Sequence, residues 1–282
     1  MALTRITRAR IGVAAGLVAL AAAVIPGQLA TADDTPAKPT VEPKPAIVLV
    51  HGAWADASSW NEVTRRLQRV GYTVLAPPNP LRGLSSDAAY VSAYLQQATS
   101  GPVVLVGHSY GGAVITNAAP SDPDVKALVY INAFAPDQGE TVFQLVAAQP
   151  GSALGGDPTQ VFNFVQYPGA PAGDLDVYLK TDVFINDFAN DLPPKTAAVL
   201  AAGQRPATLS SGTEPSGVPA WKTLPSWYLV GTLDKIIPPA QQRIMAERAG
   251  STTTEIRAGH VSMLSKPAAV TAVIENAARS VQ

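Results

Sequence analysis

The chain contains no cysteine. That excludes disulfides, thiolate metal sites, a lipid-modified N-terminal cysteine and a cysteine nucleophile together. Histidine is almost as scarce. With three in 282 residues, chemistry that needs an imidazole must draw on His51, His108 or His260. Charge is sparse too: 15% of residues are charged, the net charge is −1, and no basic stripe is present. A nucleic-acid partner or an anionic membrane surface would leave such a stripe, so neither is expected. No paired arginine marks the N-terminal segment as a twin-arginine signal.

That segment has another pattern. Arg5, Arg8 and Arg10 precede an uncharged, alanine-rich run of 15 residues from Ile11 to Ile25. A membrane span needs about 20. Pro26 and Gly27 break the run, and Ala30-Thr31-Ala32 offers a small–x–small site before Asp33-Asp34. The expectation is a Sec-type secretory signal peptide over residues 1–32, cut after Ala32, leaving a secreted protein with no stable membrane insertion. Losing three of the 20 basic residues and none of the 21 acidic ones would bring the net charge to −4. Residues 33–45 hold four prolines without apolar periodicity and read as an extended tether. Residues 46–282 then suit one α/β domain, for which a 47% hydrophobic composition is ample.

The most informative stretch is Pro102 to Gly112. Val103-Val104-Leu105-Val106 is a run apolar on both faces, as in a buried parallel strand. It ends in Gly107-His108-Ser109-Tyr110-Gly111, and an apolar helix over Ala113–Ala119 follows, closed by Pro120. Strand, tight glycine turn and helix make a nucleophile elbow, which holds a strained serine at the carboxyl end of the strand. The Tyr110 amide and the helix N-terminus then face an anion formed there. Similar strand runs occur at Ala46–Val50, Tyr72–Ala76, Lys126–Ala133, Ser226–Thr232 and Thr252–Arg257. The helices between them include Asp87–Thr99, with Ser86 as its expected cap, and Ala240–Ala249. Alternation of this kind implies βαβ units and a parallel sheet. It stops between about residues 136 and 222, where no buried strand run occurs. All six phenylalanines lie between Phe134 and Phe188, which suggests a cap inserted over the site. Ser210 to Gly217 is expected to be a flexible return loop.

A serine hydroxyl needs a base. His108 adjoins Ser109 and should point away from it as a packed residue, and His51 lies in the first strand–loop turn. His260, in the loop after the last strand, is the candidate. The imidazole needs an acid to fix its tautomer. Asp234, after the strand that follows the cap, gives the order Ser109…Asp234…His260; Asp137 is the rival. Oxyanion donors are expected from the Ala53 and Tyr110 amides, Gly52 allowing close approach. Trp54 and Phe134 are the pocket candidates.

His51-Gly52-Ala53-Trp54, the Gly107–Gly112 elbow, Asp234 and Gly259-His260 together resemble the α/β-hydrolase superfamily. More narrowly, the chain resembles its compact capped esterases, the branch with plant methylesterases, hydroxynitrile lyases and many bacterial serine hydrolases. The likeness spans roughly residues 46–280. It implies an α/β fold: about six mainly parallel strands flanked by helices, with a helical cap inserted before the acid-bearing strand. The two leading antiparallel strands of larger members are not expected, since the tether stands in their place. The resemblance also implies an acyl-enzyme, water as acceptor, and neither metal nor cofactor. The function expected is a secreted serine hydrolase of small or medium apolar carboxylic esters. A lyase of this branch would place a lysine beside the histidine, where Val261 stands; a dehalogenase would need an aspartate at position 109. Perhydrolase activity would be a side reaction. A non-catalytic ligand-binding protein on the same fold is the alternative from a different class.

Overall fold

The computed structural model describes residues 44–282. The expected signal peptide and all of the tether but Lys44 and Pro45 lie outside the described residues. Those two residues pack against the domain: Pro45 is buried, and the Lys44 ammonium sits 4.7 Å above the Tyr72 ring.

Six parallel strands form the main sheet: β1 (Ala46–Val50), β2 (Val74–Leu75), β3 (Val103–Ser109), β4 (Val125–Ala133), β8 (Ser226–Gly231) and β9 (Thr252–Ile256). Their order is β2-β1-β3-β4-β8-β9. All seven residues of β3 are buried, as a central strand covered by helices on both faces must be. Helices α1 (Asn61–Arg69), α2 (Leu84–Ala98), α3 (Tyr110–Ala118), α9 (Pro239–Arg248) and α10 (Pro267–Arg279) cover the faces. α1 shows why it packs: Val63 and Leu67 lie on one face, and Arg65 and Arg66 pair with Glu62 on the solvent side. The chain steps outward from β1 to β2, then returns to β3 on the other side of β1. A crevice opens where the order reverses, outside the carboxyl ends of β1 and β3. The loop after β1 and Ser109 meet there.

The edges of the expected elements move where tertiary contacts override local signals. The strand expected over Tyr72–Ala76 shrinks to β2, a sheet edge with two paired residues. α2 starts at Leu84, not Asp87, and Ser86 is not its cap. The Glu214 carboxylate, from a distant loop, accepts the Ser85 amide at 2.8 Å. An ionised acceptor at a helix N-terminus outcompetes a local hydroxyl. The Ser86 hydroxyl donates instead to Gly83 O.

Between β4 and β8 lies the cap. It holds α4 (Val142–Ala147), α5 (Pro158–Val161), β5 (Phe162–Val165), β6 (Asp176–Leu179), α6 (Thr181–Val183), a π-turn at Phe184–Phe188, α7 (Pro194–Ala202), β7 (Ala207–Thr208) and α8 (Leu209–Thr213). The cap expected to be helical therefore also contains a three-stranded antiparallel sheet, β5-β6-β7. These strands are two to four residues long, and three of the four in β5 are exposed, so they leave no buried run in the sequence. The stretch expected as a flexible return loop is tied down. The Asp174 carboxylate accepts both the amide and the hydroxyl of Ser210, and Asn117 Oδ1 accepts the Gly217 amide at 2.7 Å.

Candidate active site

Val50 pairs with Gly107 in register, so β1 and β3 end side by side. Ser109 ends β3 with φ 53° and ψ −125°, the strained geometry expected of an elbow. The flanking glycines explain how the turn closes. A Cβ on Gly107 would lie 2.5 Å from the Gly111 carbonyl oxygen, and one on Gly111 would lie 2.5 Å from Val50 O. Only backbone without side chains allows strand, turn and helix to come this close.

Ser109, His260 and Asp234 meet above this turn. The Ser109 hydroxyl donates to His260 Nε2 at 2.9 Å, and His260 Nδ1–H donates to Asp234 Oδ2 at 2.9 Å. The His260 and Asp234 side chains are wholly buried. Asp234 is held by four further donors. The Ile236 and Ile237 amides reach its Oδ1, and Asn132 Nδ2 and Gln242 Nε2 reach its Oδ2. A set made only of donors matches an ionised carboxylate, which only accepts. The rival Asp137 is not brought here. Its carboxylate is ion-paired with Lys222 at 2.6 Å on the surface, and that bond holds it below the usual carboxylate range.

The other two histidines are spoken for. His51 donates from Nδ1 to Gly52 O and accepts the Asn79 amide at Nε2, each at 2.9 Å. Burial lowers its pKa to about 4. His108 donates from Nε2 to the carbonyl of His260 at 2.9 Å, and its Nδ1 is buried without a partner. Burial holds it well below the usual imidazole range, and the His260 ring, its centroid 4.8 Å away, adds to the shift. His108 is thus a neutral, packed support beneath His260. Phe188 of the cap covers the other side, with its ring centroid 5.1 Å from that of His260.

The loop after β1 brings the second amide. Trp54 has φ 59°; its amide donates to Arg205 O at 3.0 Å and its indole N–H to Val177 O at 2.9 Å. Among the described residues the Ala53 and Tyr110 amides donate to no protein group, so both are free to bind an anion beside Ser109. The Tyr110 hydroxyl donates to the buried Asp87 carboxylate at 2.8 Å, anchoring that residue from below. Burial pushes the Asp87 carboxyl up. The cavity at Ser109 is lined by Ala53, Trp54, Tyr110 and Phe134, with Val142 and Ile236 among its other walls. It therefore gathers every residue expected at the pocket. Among the described residues no three histidine, aspartate or glutamate side chains gather to hold a metal ion.

Sequence reasoning missed three supports. Asn132, at φ 46°, donates to Asp234 Oδ2 at 3.0 Å and to Gly259 O at 3.2 Å, and accepts the Ser262 hydroxyl at 2.6 Å. It grips the acid and both sides of the His260 loop. A polar residue inside an apolar strand was the available signal. Gln242 lies on α9 with no such signal. Asp191, in the cap, accepts the Gly259 amide at 2.6 Å, and nothing local marks it.

Comparison with known proteins agrees with this architecture. A family model described as alpha/beta hydrolase family matches residues 47–273. The alpha/beta hydrolase nvfD of Aspergillus novofumigatus is 28% identical over 257 residues, covering 83% of this chain and 97% of that protein. Methylesterase 2 of Arabidopsis thaliana is 27% identical over 244 residues, covering 79% of this chain and 92% of that protein. The crystal structure of polyneuridine aldehyde esterase superposes with a TM-score of 0.68 at 20% identity, covering 83% of this chain and 99% of that one.

Proposed function

The chain belongs to the alpha/beta hydrolase family and is a hydrolase with esterase relatives; from that premise we propose that Ser109, His260 and Asp234 make it a secreted serine esterase of small or medium apolar substrates. One observation carries the reading: an unbroken relay of two 2.9 Å hydrogen bonds beginning on a strained elbow serine.

In this mechanism His260 takes the Ser109 proton as Oγ attacks the ester carbonyl carbon. The carbonyl oxygen becomes an oxyanion between the Ala53 and Tyr110 amides. Asp234 holds the imidazole in the tautomer that receives the proton and stabilises the imidazolium. The tetrahedral intermediate collapses as His260 Nε2 protonates the leaving alcohol, and an acyl-serine remains. Water repeats the sequence: His260 takes its proton, its oxygen attacks the acyl carbon, and the proton returns to Ser109 as the acid leaves. Neutral His108 fits this cycle, because a second cation under His260 would oppose imidazolium formation. Trp54 and Phe134 give the cleft an apolar wall.

Hydrolysis of p-nitrophenyl esters tests the proposal. Turnover by the wild type, and its loss in Ser109→Ala, is the expected result. No turnover together with no labelling of Ser109 by a fluorophosphonate would overturn it in favour of a binding protein. Export is supported by the basic, apolar and small-residue pattern of residues 1–32. N-terminal sequencing of the exported protein should begin at Asp33.

A further inference from the structure

The space at Ser109 is small. About 40 Å³ is open to the centre of a water molecule. One water needs roughly 10–15 Å³ on this measure, so the cavity takes about three water-sized groups. An acetyl group alone fills it. A larger ester must continue elsewhere.

A second space adjoins this cavity in the cap. Phe143, Val146, Leu154, Phe162 and Val177 line the Ser109 cavity with one side and a second, outer groove with the other. That groove offers about 370 Å³ on the same measure. Beyond the shared wall it is lined by apolar groups such as Pro158, Phe164 and Leu209. Phe143 and Phe164 are 37% and 39% exposed, which is unusual for rings this close to a buried site. The wall is thus one side chain thick. The Phe143 ring lies on Gly212 of α8, where an added Cβ would come within 2.5 Å of it.

We infer that the outer groove is a second subsite of the proposed esterase, taking the remote apolar arm of an extended ester whose carbonyl lies at Ser109, with Phe143 as the threshold between them. The inference rests on the esterase reading. Its substrate class is narrower: esters with one long alkyl or aryl arm and no charge along it. The two spaces lie back to back across five shared wall residues, so the groove begins one side chain from the Ser109 cavity, and that adjacency argues for substrate as its occupant.

The test compares ethyl acetate with ethyl octanoate (long acyl arm) and with octyl acetate (long alcohol arm). Gly156→Trp fills the groove from its rim, where a Cβ meets only Val161 Cγ2, at 3.9 Å. Phe164→Ala removes a groove ring that does not touch the inner cavity. The expected result is a fall in the long-to-short ratio of kcat/KM of roughly ten- to a hundredfold for Gly156→Trp and a smaller fall for Phe164→Ala. The arm that responds, acyl or alcohol, identifies which side of the ester the groove holds. Ethyl acetate turnover in each variant serves as the folding control. Should the wild type cleave acetate while both ratios stay unchanged, the subsite is overturned and the esterase stands. Should the variants instead dissociate a dimer with unchanged ratios, the groove is an interface between copies and the inference fails. Absence of all turnover and of fluorophosphonate labelling removes the esterase reading itself.

Discussion

The two walls of the cleft are built from different materials. The sheet wall is held by backbone contacts and hydrogen bonds. Ser109 and Asn132 have positive φ, glycines seat the elbow on Val50 and Gly111, and five donors fix Asp234. The cap wall is held by rings: Trp54 stacks on Phe162 with centroids 6.0 Å apart, and Phe188 packs on Phe184 at 4.6 Å. Hydrogen-bonded geometry tolerates little displacement, whereas packed rings adjust by small rotations. The proposed chemistry therefore rests on the sheet wall and the proposed selectivity on the cap wall.

Substitutions sharpen that division. The largest effect is expected from Ser109→Ala, which should lower kcat for p-nitrophenyl acetate by about five to six orders of magnitude; Asp234→Asn should cost about four. Asn132→Ala comes next. It removes a donor to Asp234 and both grips on the His260 loop, so kcat should fall roughly ten- to a hundredfold with KM little changed, comparable to losses of outer supporting hydrogen bonds elsewhere. Asp191→Ala crosses the division, since a cap carboxylate there holds the amide next to His260. About a tenfold loss in kcat is expected, with recovery in Asp191→Asn, which keeps an acceptor. A loss in KM alone would place Asp191 with the rings. Phe162→Leu, at a cap ring that lines the Ser109 cavity, should raise KM a fewfold and leave kcat near wild type.

Stability against pH forms a separate comparison, since it is read on the fold and not on turnover. His51 is held near pKa 4 when folded, against an ordinary value of 6.5, so the unfolded chain binds the extra proton between these values. Stability should therefore rise as pH climbs from about 4 to about 6.5 and fall as pH drops through the same window, with His51 contributing up to about 3 kcal/mol. His108 acts in the same direction. Thermal melts across that range check this, and a flat profile would contradict it.

Much of the sheet wall was legible in the sequence because its signals are local. Val103–Val106 is a buried strand on sight, and Gly107 and Gly111 stand where side chains cannot. Elimination among three histidines pointed to His260, and a place after the post-cap strand, with chain order, pointed to Asp234. Asn132 was hidden because its partners lie 102 to 130 residues further along. The cap strands were hidden because a four-residue strand with one buried position carries no period to read. Ser86 misled as a cap because a glutamate 129 residues downstream of Ser85 does that work.

Trp54 ties the cap to the loop that presents the Ala53 amide. Its amide and indole donate to carbonyls of Arg205 and Val177, two positions of the inserted segment. The insertion is therefore not an interchangeable cassette. Grafting another cap between β4 and β8 would exchange the pocket and, in the same step, unmoor one of the two amides that face Ser109. Lineages that diversify this segment must keep two carbonyls in place whatever else they change, and a redesign of specificity should begin with side chains on the existing cap backbone.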